Sequence, residues 1–316
     1  MTRQRLRVAL IAGGTSGERE VSLKGAAGVE QSLDPARYAV RRYDPACDLP
    51  RLAAEAGEID FAFILLHGPL GEDGTMQGFL DLLGIPYQGA GVLGSALAMH
   101  KGLAKLLYRQ AGLAVPAGRL LCRGQSVDPA ALVAALGLPL FVKPARQGSS
   151  LGMSRVGQAQ ELLPALEKAW ALDREVLVEA FIPGREITGG VLGNDELLAL
   201  PIVEIIPGDG FAFFDYEAKY QPGASREICP AELPPDLTRR AQASALAAHR
   251  ALHLRGYSRT DMIVRGDELV VLETNTIPGM TPTSLLPQAA AAVGLPFPAL
   301  LDRLIALGLE DQPPRA

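Results

Sequence analysis

The stretch SRTDMIVRGDELVVLETNT, residues 258–276, contains two apolar runs separated by a short polar segment, which predicts a β-hairpin. Four polar residues stand two apart within their strands, so the members of each pair share a face of the sheet; they are Arg259, Asp261, Glu273 and Asn275. The register decides whether the two pairs meet, because a shift of one residue moves every side chain to the other face. We predict a three-residue connection, Gly266–Glu268, which sets Asp261 opposite Glu273 and the arginine opposite the asparagine. A two-residue turn would place the pairs on opposite sides.

Two carboxylates and an amide beside an arginine form a set of hard oxygen ligands. Mg²⁺ prefers a few protein oxygens together with substrate phosphates, so the hairpin is a candidate Mg²⁺ site. The alternative is a solvated strand face on which the arginine and the carboxylates form salt bridges. The pattern by itself leaves both interpretations open.

Residues 6–87 alternate between strand and helix patterns, which predicts a doubly wound parallel sheet. Ligands of such sheets bind beyond the carboxyl ends of the strands, where Gly13, Asp44 and His67 stand. The glycines of the first turn are spaced G-G-x-x-G rather than G-x-G-x-x-G, and Glu18 follows at once. The turn therefore suits a cation better than a polyphosphate. His67 fits a structural role and a ligand-binding role equally well.

A strand pattern at residues 138–143 ends at Lys143 and leads into the loop ARQGSSLGM, residues 145–153. Glycine and serine amides in such a loop can hold a phosphate, so we interpret it as a phosphate lid; a plain surface connection is the alternative. Lys101 and Lys219 are further candidates to contact phosphates.

The next strand closes at Glu179, and an antiparallel section follows residue 184. The backbone at such a strand end could contact an adenine edge, with Glu186 near the ribose hydroxyls. The periodicity also predicts one helix at Ser95–Ala111 and one strand at Leu197–Ile205.

The composition favours a small-molecule ligand. The chain has 316 residues and a net charge of −5, which gives no electrostatic reason to expect nucleic acid or an anionic membrane. Three cysteines without paired spacing fit neither a disulfide framework nor a zinc site. We found neither a signal h-region nor an apolar run of membrane-spanning length, so we expect a cytoplasmic protein.

Taken together, six motifs in order along nearly the whole chain resemble the D-alanine–D-alanine ligase family of the ATP-grasp superfamily. They are GGTSGEREVS, HGPLGEDGTMQG, VKPARQGSSLGM, FDYEAKY, GYSRTD and LETNTIPGMTPTSL. The resemblance implies an α/β fold in which an N-terminal doubly wound parallel sheet precedes a two-part ATP-grasp fold of α+β type. The expected domains are a substrate-binding domain at 1–97, a central ATP-grasp subdomain at 98–183 and a catalytic subdomain at 184–316.

The resemblance implies that the enzyme joins two D-alanine molecules through a D-alanyl phosphate, with ATP bound between the central and C-terminal units. The residues expected at ATP are Lys101, Lys143, Ser149, Ser150, Glu179, Ala180, Ile182, Glu186 and Lys219. Two Mg²⁺ ions are implied, with Mn²⁺ tolerated in their place, one held by Asp261 and Glu273 and the other by Glu273 and Asn275. A homodimer is implied as well.

The same resemblance assigns the substrate contacts. Glu18 would hold the ammonium group of the first D-alanine and close the lid in a triad with Ser149 and Tyr220, with His67 close by. Arg259 and the Gly279 N–H would stabilise the tetrahedral oxyanion. The carboxylate of the second D-alanine would meet further groups, namely Ser284, the Leu285 N–H and Lys219.

Three residues depart from the family pattern: Gln147, where glutamate is common; Phe214, where tyrosine is common; and His100, where an acidic residue is common. None of them removes a catalytic group. The nearest alternative is another ATP-grasp ligase, including a D-alanine–D-lactate ligase, although the loop with Tyr220 favours an amine as the second nucleophile. A nicotinamide-dependent oxidoreductase and a non-catalytic nucleotide-binding regulator are more distant alternatives.

Overall fold

A computed structural model describes residues 5–149, 151–208 and 225–310, which form three β-sheets with helices packed against them. The first sheet contains β1 (Leu6–Ile11), β2 (Tyr38–Tyr43) and β3 (Phe61–Ile64). The second contains β4 (Gly118–Cys122), β5 (Leu140–Pro144), β6 (Ser154–Val156) and β7 (Glu175–Ala180). The third contains β8 (Arg185–Gly193), β9 (Leu198–Ala199), β10 (Val203–Pro207), β11 (Ser225–Ile228), β12 (Gly256–Arg265) and β13 (Glu268–Asn275).

Ten helices accompany these strands in the described part of the chain. They are α1 (Arg19–Ser32), α2 (Leu49–Ala54), α3 (Thr75–Leu82), α4 (Val92–Met99), α5 (Lys101–Gln110), α6 (Pro129–Leu136), α7 (Leu162–Trp170), α8 (Pro235–Ala251), α9 (Leu285–Ala291) and α10 (Phe297–Glu310). Short 3-10 turns at Ala56–Glu58 and Ala159–Glu161 complete the regular structure there. None of the helices in the described ranges is long and apolar enough to cross a membrane.

The first sheet is parallel, with strand order β2-β1-β3, as the alternating pattern predicted. Strands β1 and β3 are apolar and largely buried because helices cover both faces, whereas the edge strand β2 exposes Arg41 and Arg42. Val8 and Phe63 on one face share a core with Leu285 and Leu300 of the two C-terminal helices. The N-terminal sheet is therefore packed directly against the C-terminal part of the chain, and its strand ends lie beside that part.

The second sheet is antiparallel, with order β4-β7-β5-β6, and has its own apolar core under α6 and α7. The third sheet is also antiparallel, with order β11-β10-β8-β12-β13 and with β9 paired to β8. Helix α8 packs against its central strands through small residues such as Ala241 and Ala245, both fully buried. The expected α/β fold, with a parallel sheet before a two-part region of α+β type, is confirmed.

Two expected elements are interrupted, each for a local reason. The helix expected at Ser95–Ala111 is divided between α4 and α5, because His100 lies outside the helical region (φ −86°, ψ 89°) and its ring accepts the Leu103 N–H as a cap. The strand expected at Leu197–Ile205 is divided between β9 and β10. Pro201 stands between them, and proline has no N–H to donate to a sheet.

Candidate active site

The hairpin β12–β13 brings its polar residues together, although not in the way expected. Arg265 pairs with Glu268 across a two-residue turn, so the predicted three-residue connection is wrong. The register then shifts by one residue between Asp261 and Met262, which leaves Leu272 as the extra residue of a β-bulge. The bulge restores the predicted pairing of Asp261 with Glu273 and of Arg259 with Asn275.

Asp261 is the centre of this group and is buried, with 6% of its surface exposed. Arg259 donates two hydrogen bonds to its carboxylate, from Nε to Oδ1 and from Nη2 to Oδ2, each 3.0 Å long. Thr188 Oγ1 donates to Oδ1 at 2.6 Å, and Asn275 Nδ2 donates to Oδ2 at 3.0 Å. Because the other three residues of the group are half-buried, it is not a solvated strand face, although it does contain the expected salt bridge.

The oxygen set of the hairpin has the chemistry that a hard cation requires. Asp261 and Glu273 supply carboxylates, and Asn275 supplies an amide oxygen. Within the described ranges, no group of three or more His, Cys, Asp or Glu side chains is arranged to hold a metal ion. The residues fit Mg²⁺ as a site with two carboxylates, where the ion keeps other oxygen ligands from water or phosphate.

A cavity of about 130 Å³ lies between the second and third sheets. Most of the residues expected at ATP line it: Lys101, Lys143, Ser149, Glu179, Ala180, Ile182 and Glu186. Asp261 and Glu273 line it from the hairpin side. The rings of Phe141 and Phe181 meet edge to face on its wall, with centroids 5.6 Å apart. An apolar slot with charged groups at one end is suited to a flat base that carries a polyphosphate.

Glu179 is a buried carboxylate on the wall of this slot and contacts two lysines. Lys143 Nζ contacts Glu179 Oε1, and Lys105 Nζ lies 3.0 Å from Glu179 Oε2. Burial by itself would raise the pKa of Glu179, but the two ammonium groups outweigh it and lower the pKa below its usual value. Burial lowers the pKa of Lys105 to about 8, against the opposing effect of Glu179. For Lys143, Glu179 and Glu273 outweigh burial and raise the pKa.

Sequence reasoning missed Lys105. It stands four residues after Lys101 on α5, a spacing that puts both lysines on one face of the helix. This face also carries the fully buried Tyr108, so Lys105 points into the protein with 2% of its surface exposed. The spacing shows only that the two lysines share a helix face; the burial of Lys105 depends on partners elsewhere in the fold.

A second cavity, of about 320 Å³, opens beside the first and lies at the carboxyl end of the parallel sheet. It is lined by residues expected at D-alanine: Glu18, His67, Ser149, Arg259, Gly279, Ser284 and Leu285. Lys101, Ser149 and Glu273 line both cavities. The two spaces therefore meet at these three side chains.

The first turn is built to place Glu18 in this second cavity. Asp44, directly after β2, accepts hydrogen bonds from the Gly14 N–H at 2.9 Å and from the Arg19 guanidinium at 2.5 Å. Gly13 has φ +94°, and a Cβ atom there would lie 2.7 Å from the Asp44 carboxylate, so glycine is required. Glu18 is thereby buried and accepts a hydrogen bond from Ser149 Oγ of the predicted lid.

Two titratable groups stand beside Glu18. Burial lowers the pKa of His67, with Glu18 acting in the opposite direction. Burial and the nearby Glu18 raise the pKa of Glu72 to about 8. Glu72 accepts the N–H groups of Gly68 at 2.8 Å and of Ile277 at 3.4 Å, and thus connects the loop after β3 to the segment after β13. Sequence reasoning missed Glu72, although it stands in the quoted motif HGPLGEDGTMQG.

The remaining expected residues are placed as follows. Ser284 directly precedes α9, and its Oγ accepts the Thr281 N–H at 3.1 Å. A Cβ atom on Gly279 would lie 3.1 Å from Ser284 Oγ, so these two neighbours approach closely. Lys101 Nζ donates to the main-chain carbonyl of Gln147 at 2.8 Å, a contact that does not depend on the side chain at that position. Some expected residues lie outside the described ranges, namely Ser150, Phe214, Lys219 and Tyr220.

Comparison with known proteins gives consistent matches. Residues 107–306 match the family model described as D-ala D-ala ligase C-terminus. Residues 44–90 match a second family model, described as D-ala D-ala ligase N-terminus. A D-alanine--D-alanine ligase of Desulfotalea psychrophila is 62% identical over 97% of this chain and 96% of its own length. The same-named protein of Syntrophobacter fumaroxidans is 58% identical over 98% of this chain and 100% of its own.

Solved structures show the same likeness. A D-alanine--D-alanine ligase from Bacillus anthracis complexed with ATP is 35% identical, with a TM-score of 0.85 over 96% of this chain and 98% of that one. VanG D-Ala:D-Ser ligase from Enterococcus faecalis is 34% identical, with a TM-score of 0.83; the match covers 96% of this chain and 100% of that one.

Proposed function

The chain belongs to the D-alanine–D-alanine ligase family, and from this premise we propose how it joins two D-alanine molecules at the expense of ATP, with ADP and phosphate as the other products. The dipeptide is a building block of peptidoglycan precursors. One observation carries the assignment of the site. The slot suited to a nucleotide and the cavity behind Glu18 meet at Lys101, Ser149 and Glu273, so a phosphate in one and a carboxylate in the other would meet there.

In the first step, a carboxylate oxygen of the first D-alanine bonds to the γ-phosphorus of ATP. The bond from that phosphorus to the bridging oxygen breaks and leaves ADP and D-alanyl phosphate. One anion attacks another, so positive charge must surround the reacting oxygens. Lys101 and Lys143 provide it at the cavity wall, and Lys219 and the amides at Ser149 and Ser150 are further phosphate contacts of this proposal.

Asp261, Glu273 and Asn275 would hold Mg²⁺, one ion between the two carboxylates and a second between Glu273 and the amide; Mn²⁺ could replace it. When bound, the ions neutralise phosphate charge and orient the phosphate oxygens. Asp261 is already fixed by Arg259 and Thr188, so one ligand is positioned before any cation arrives.

In the second step, the amine nitrogen of the second D-alanine bonds to the acyl carbon, the bond from that carbon to the phosphate oxygen breaks, and the proton that the nitrogen loses leaves with the phosphate. The carbonyl oxygen becomes an oxyanion on the way. Arg259 and the Gly279 N–H line the cavity and are proposed as its donors, each worth about 3 kcal/mol in the transition state.

Substrate binding is assigned to the walls of the larger cavity. Glu18 receives the ammonium group of the first D-alanine, with His67 beside it. Ser284, the Leu285 N–H and Lys219 receive the carboxylate of the second. The Ser149 contact with Glu18, together with Tyr220, closes the lid over the acyl phosphate and keeps water away from it. On the nucleotide side, Glu179 and the backbone at Ala180 and Ile182 contact adenine, and Glu186 contacts ribose.

We propose the domain division 1–97, 98–183 and 184–316, which is supported by the three separate sheets, and a cytoplasmic location.

We also propose a homodimer. Exposed apolar side chains lie on the neighbouring helices α3 and α4, with 88% of Leu82 and 59% of Leu93 exposed. Large apolar side chains exposed on neighbouring helices are candidates for contact with a second copy of the chain. Sedimentation velocity at micromolar concentration should show a dimer that Leu93→Asp weakens; a monomeric wild type would overturn the proposal.

The function is tested by incubating purified protein with MgATP and measuring ADP and phosphate release, with the product identified by mass. The reactions contain D-alanine alone, L-alanine, or D-alanine with D-serine or D-lactate. Turnover and a D-alanyl-D-alanine mass with D-alanine alone are expected. A product that forms only when D-serine or D-lactate is present would reject the second D-alanine as the acceptor.

A further inference from the structure

Lys105 is a buried cation that connects three elements of the nucleotide cleft. It projects from α5, lies 3.0 Å from Glu179 Oε2 at the end of β7, and donates to the main-chain oxygen of Leu272 on β13 at 2.9 Å. Only 2% of its surface is exposed. A lysine is placed in such a position only when partners compensate for its desolvation, and here the partners are a carboxylate and a carbonyl on opposite sides of the cleft.

The two lysines at Glu179 have different surroundings. Lys143 lines the nucleotide cavity, whereas Lys105 lies on the other side of the Glu179 carboxylate, towards α5. A polyphosphate that enters the cavity competes with Glu179 for the Lys143 ammonium group. Lys105 is held away from the cavity and remains with Glu179. Glu179 therefore keeps Lys105 as a compensating cation when Lys143 turns to the phosphates.

An ionised carboxylate only accepts hydrogen bonds, whereas a protonated one also donates. The edge of adenine carries an amino group that donates, and the corresponding position of guanine is an oxygen that accepts. A carboxylate held in its ionised form thus favours adenine. A carboxyl group left buried without a cation takes up a proton and loses this preference.

The second partner of Lys105 is the carbonyl of the bulge residue. Leu272 is the extra residue that brings Asp261 opposite Glu273. An ammonium group bound to its oxygen holds the bulge in place beside Glu273. The same side chain is therefore bonded to the base-binding strand and to the strand that carries the proposed cation ligands.

We propose that Lys105 is a positioning residue for nucleotide binding, which holds the Glu179 carboxylate at the adenine end of the cleft and anchors the Leu272 bulge of the hairpin. The proposal rests on the nucleotide site described under the proposed function. It predicts that removal of the ammonium group weakens nucleotide binding and reduces the preference for adenine over guanine, while D-alanine binding is retained.

The test is Lys105→Met, which keeps the length of the side chain and removes its charge. The matched control is Lys168→Met, because Lys168 also donates to a main-chain oxygen, that of Met153, but from an exposed position. ADP and GDP binding are measured by calorimetry without D-alanine, so the result does not depend on which acceptor the enzyme uses. The KM values for ATP and for D-alanine are then measured from the rate of turnover. If the wild type showed no turnover, that result would count only against the proposed function.

Lys105→Met should weaken ADP binding by about 10- to 100-fold, the effect of losing a hydrogen bond to a charged group. The ratio of ADP to GDP affinity should fall by a similar factor, and the KM for D-alanine should stay within about twofold of the wild type. The control should behave as the wild type does. Unchanged ADP affinity, or a parallel rise in both KM values with an unchanged ADP to GDP ratio, would overturn the proposal.

If Lys105→Met does not fold, the double variant Lys105→Met/Glu179→Gln removes both buried charges, which destabilises less than removing one of them. A folded double variant with the same ADP to GDP ratio as Glu179→Gln alone supports the proposal, because Lys105 then acts on this preference through Glu179. A folded double variant that keeps the preference overturns it. A double variant that also fails to fold makes Lys105 a structural anchor and overturns its role in nucleotide selection.

Discussion

Replacing Gly148 by alanine tests whether the lid loop must approach Glu18 closely. A Cβ atom built on Gly148 would lie 2.7 Å from Glu18 Oε2, which is short of an ordinary contact by about 0.7 Å. The backbone at Gly148 is not left-handed, so the consequence of the substitution is steric. Either Glu18 or the loop must move, and the hydrogen bond from Ser149 to Glu18 moves with them.

A displacement of this size at a substrate-positioning residue costs about 10- to 100-fold in kcat/KM. We expect a loss in that range for D-alanine at saturating ATP. ADP binding measured by calorimetry should change much less than kcat/KM, because the Cβ atom points at Glu18 and not into the nucleotide slot.

Gly157→Ala is the matched control. Its Cβ atom would also face a glutamate oxygen, Glu161 Oε2, but at the ordinary distance of 3.7 Å, so wild-type kinetics are expected. Wild-type kinetics in Gly148→Ala, or an equal loss in both alanine variants, would refute the assignment of Glu18 and the lid loop to the first substrate.

Three further predictions concern single side chains. Glu18→Gln should raise the KM for the first D-alanine by at least about tenfold, as expected for loss of a charged partner, with ADP binding retained; equal loss of both would contradict the assignment. Glu273→Gln should lower kcat by at least about 100-fold and weaken the dependence of the rate on Mg²⁺, in line with the loss of charge stabilisation at a reacting group; full activity would favour a non-catalytic nucleotide-binding protein. Asp44→Asn should lower the stability at neutral pH, because the hydrogen bond from Arg19 lowers the pKa of Asp44 to about 2 in the folded protein. Since the folded pKa lies below the unfolded one, the stability difference between the wild type and this variant should be complete above about pH 4. It should be lost as the pH falls through about 2, as followed by denaturant unfolding; a difference at pH 2 as large as that at neutral pH would contradict it.

Periodicity predicted most of the fold because the buried faces of this chain are regular. The parallel sheet followed from short apolar strands between helices, and the hairpin from its two alternating runs. The irregular points were not predictable in the same way. The division between α4 and α5 depends on the side chain of His100 acting as a cap, and the division between β9 and β10 on one proline, and neither changes the apolar periodicity around it.

Most of the candidate site residues were named from sequence motifs, whereas Glu72 and Lys105, which connect the site to other elements, were not. Glu72 stands in a quoted motif, but its role depends on the Ile277 N–H, more than two hundred positions away in the chain. Lys105 looks like an ordinary helix lysine until its partners on β7 and β13 are known. Burial of a charged side chain is a property of the assembled sheets, and no local pattern records it.

The hairpin shows how a correct pairing can follow from an incorrect turn. The observed two-residue turn without the bulge would place Asp261 opposite Leu272. The carboxylates of Asp261 and Glu273 would then lie on opposite faces of the sheet. The run VVLE contains no glycine that would indicate a bulge. The carbonyl of the extra residue is the one that receives the Lys105 ammonium group. The unexpected bulge and the missed lysine therefore meet in one contact, at the residue where the register shifts to bring Asp261 opposite Glu273.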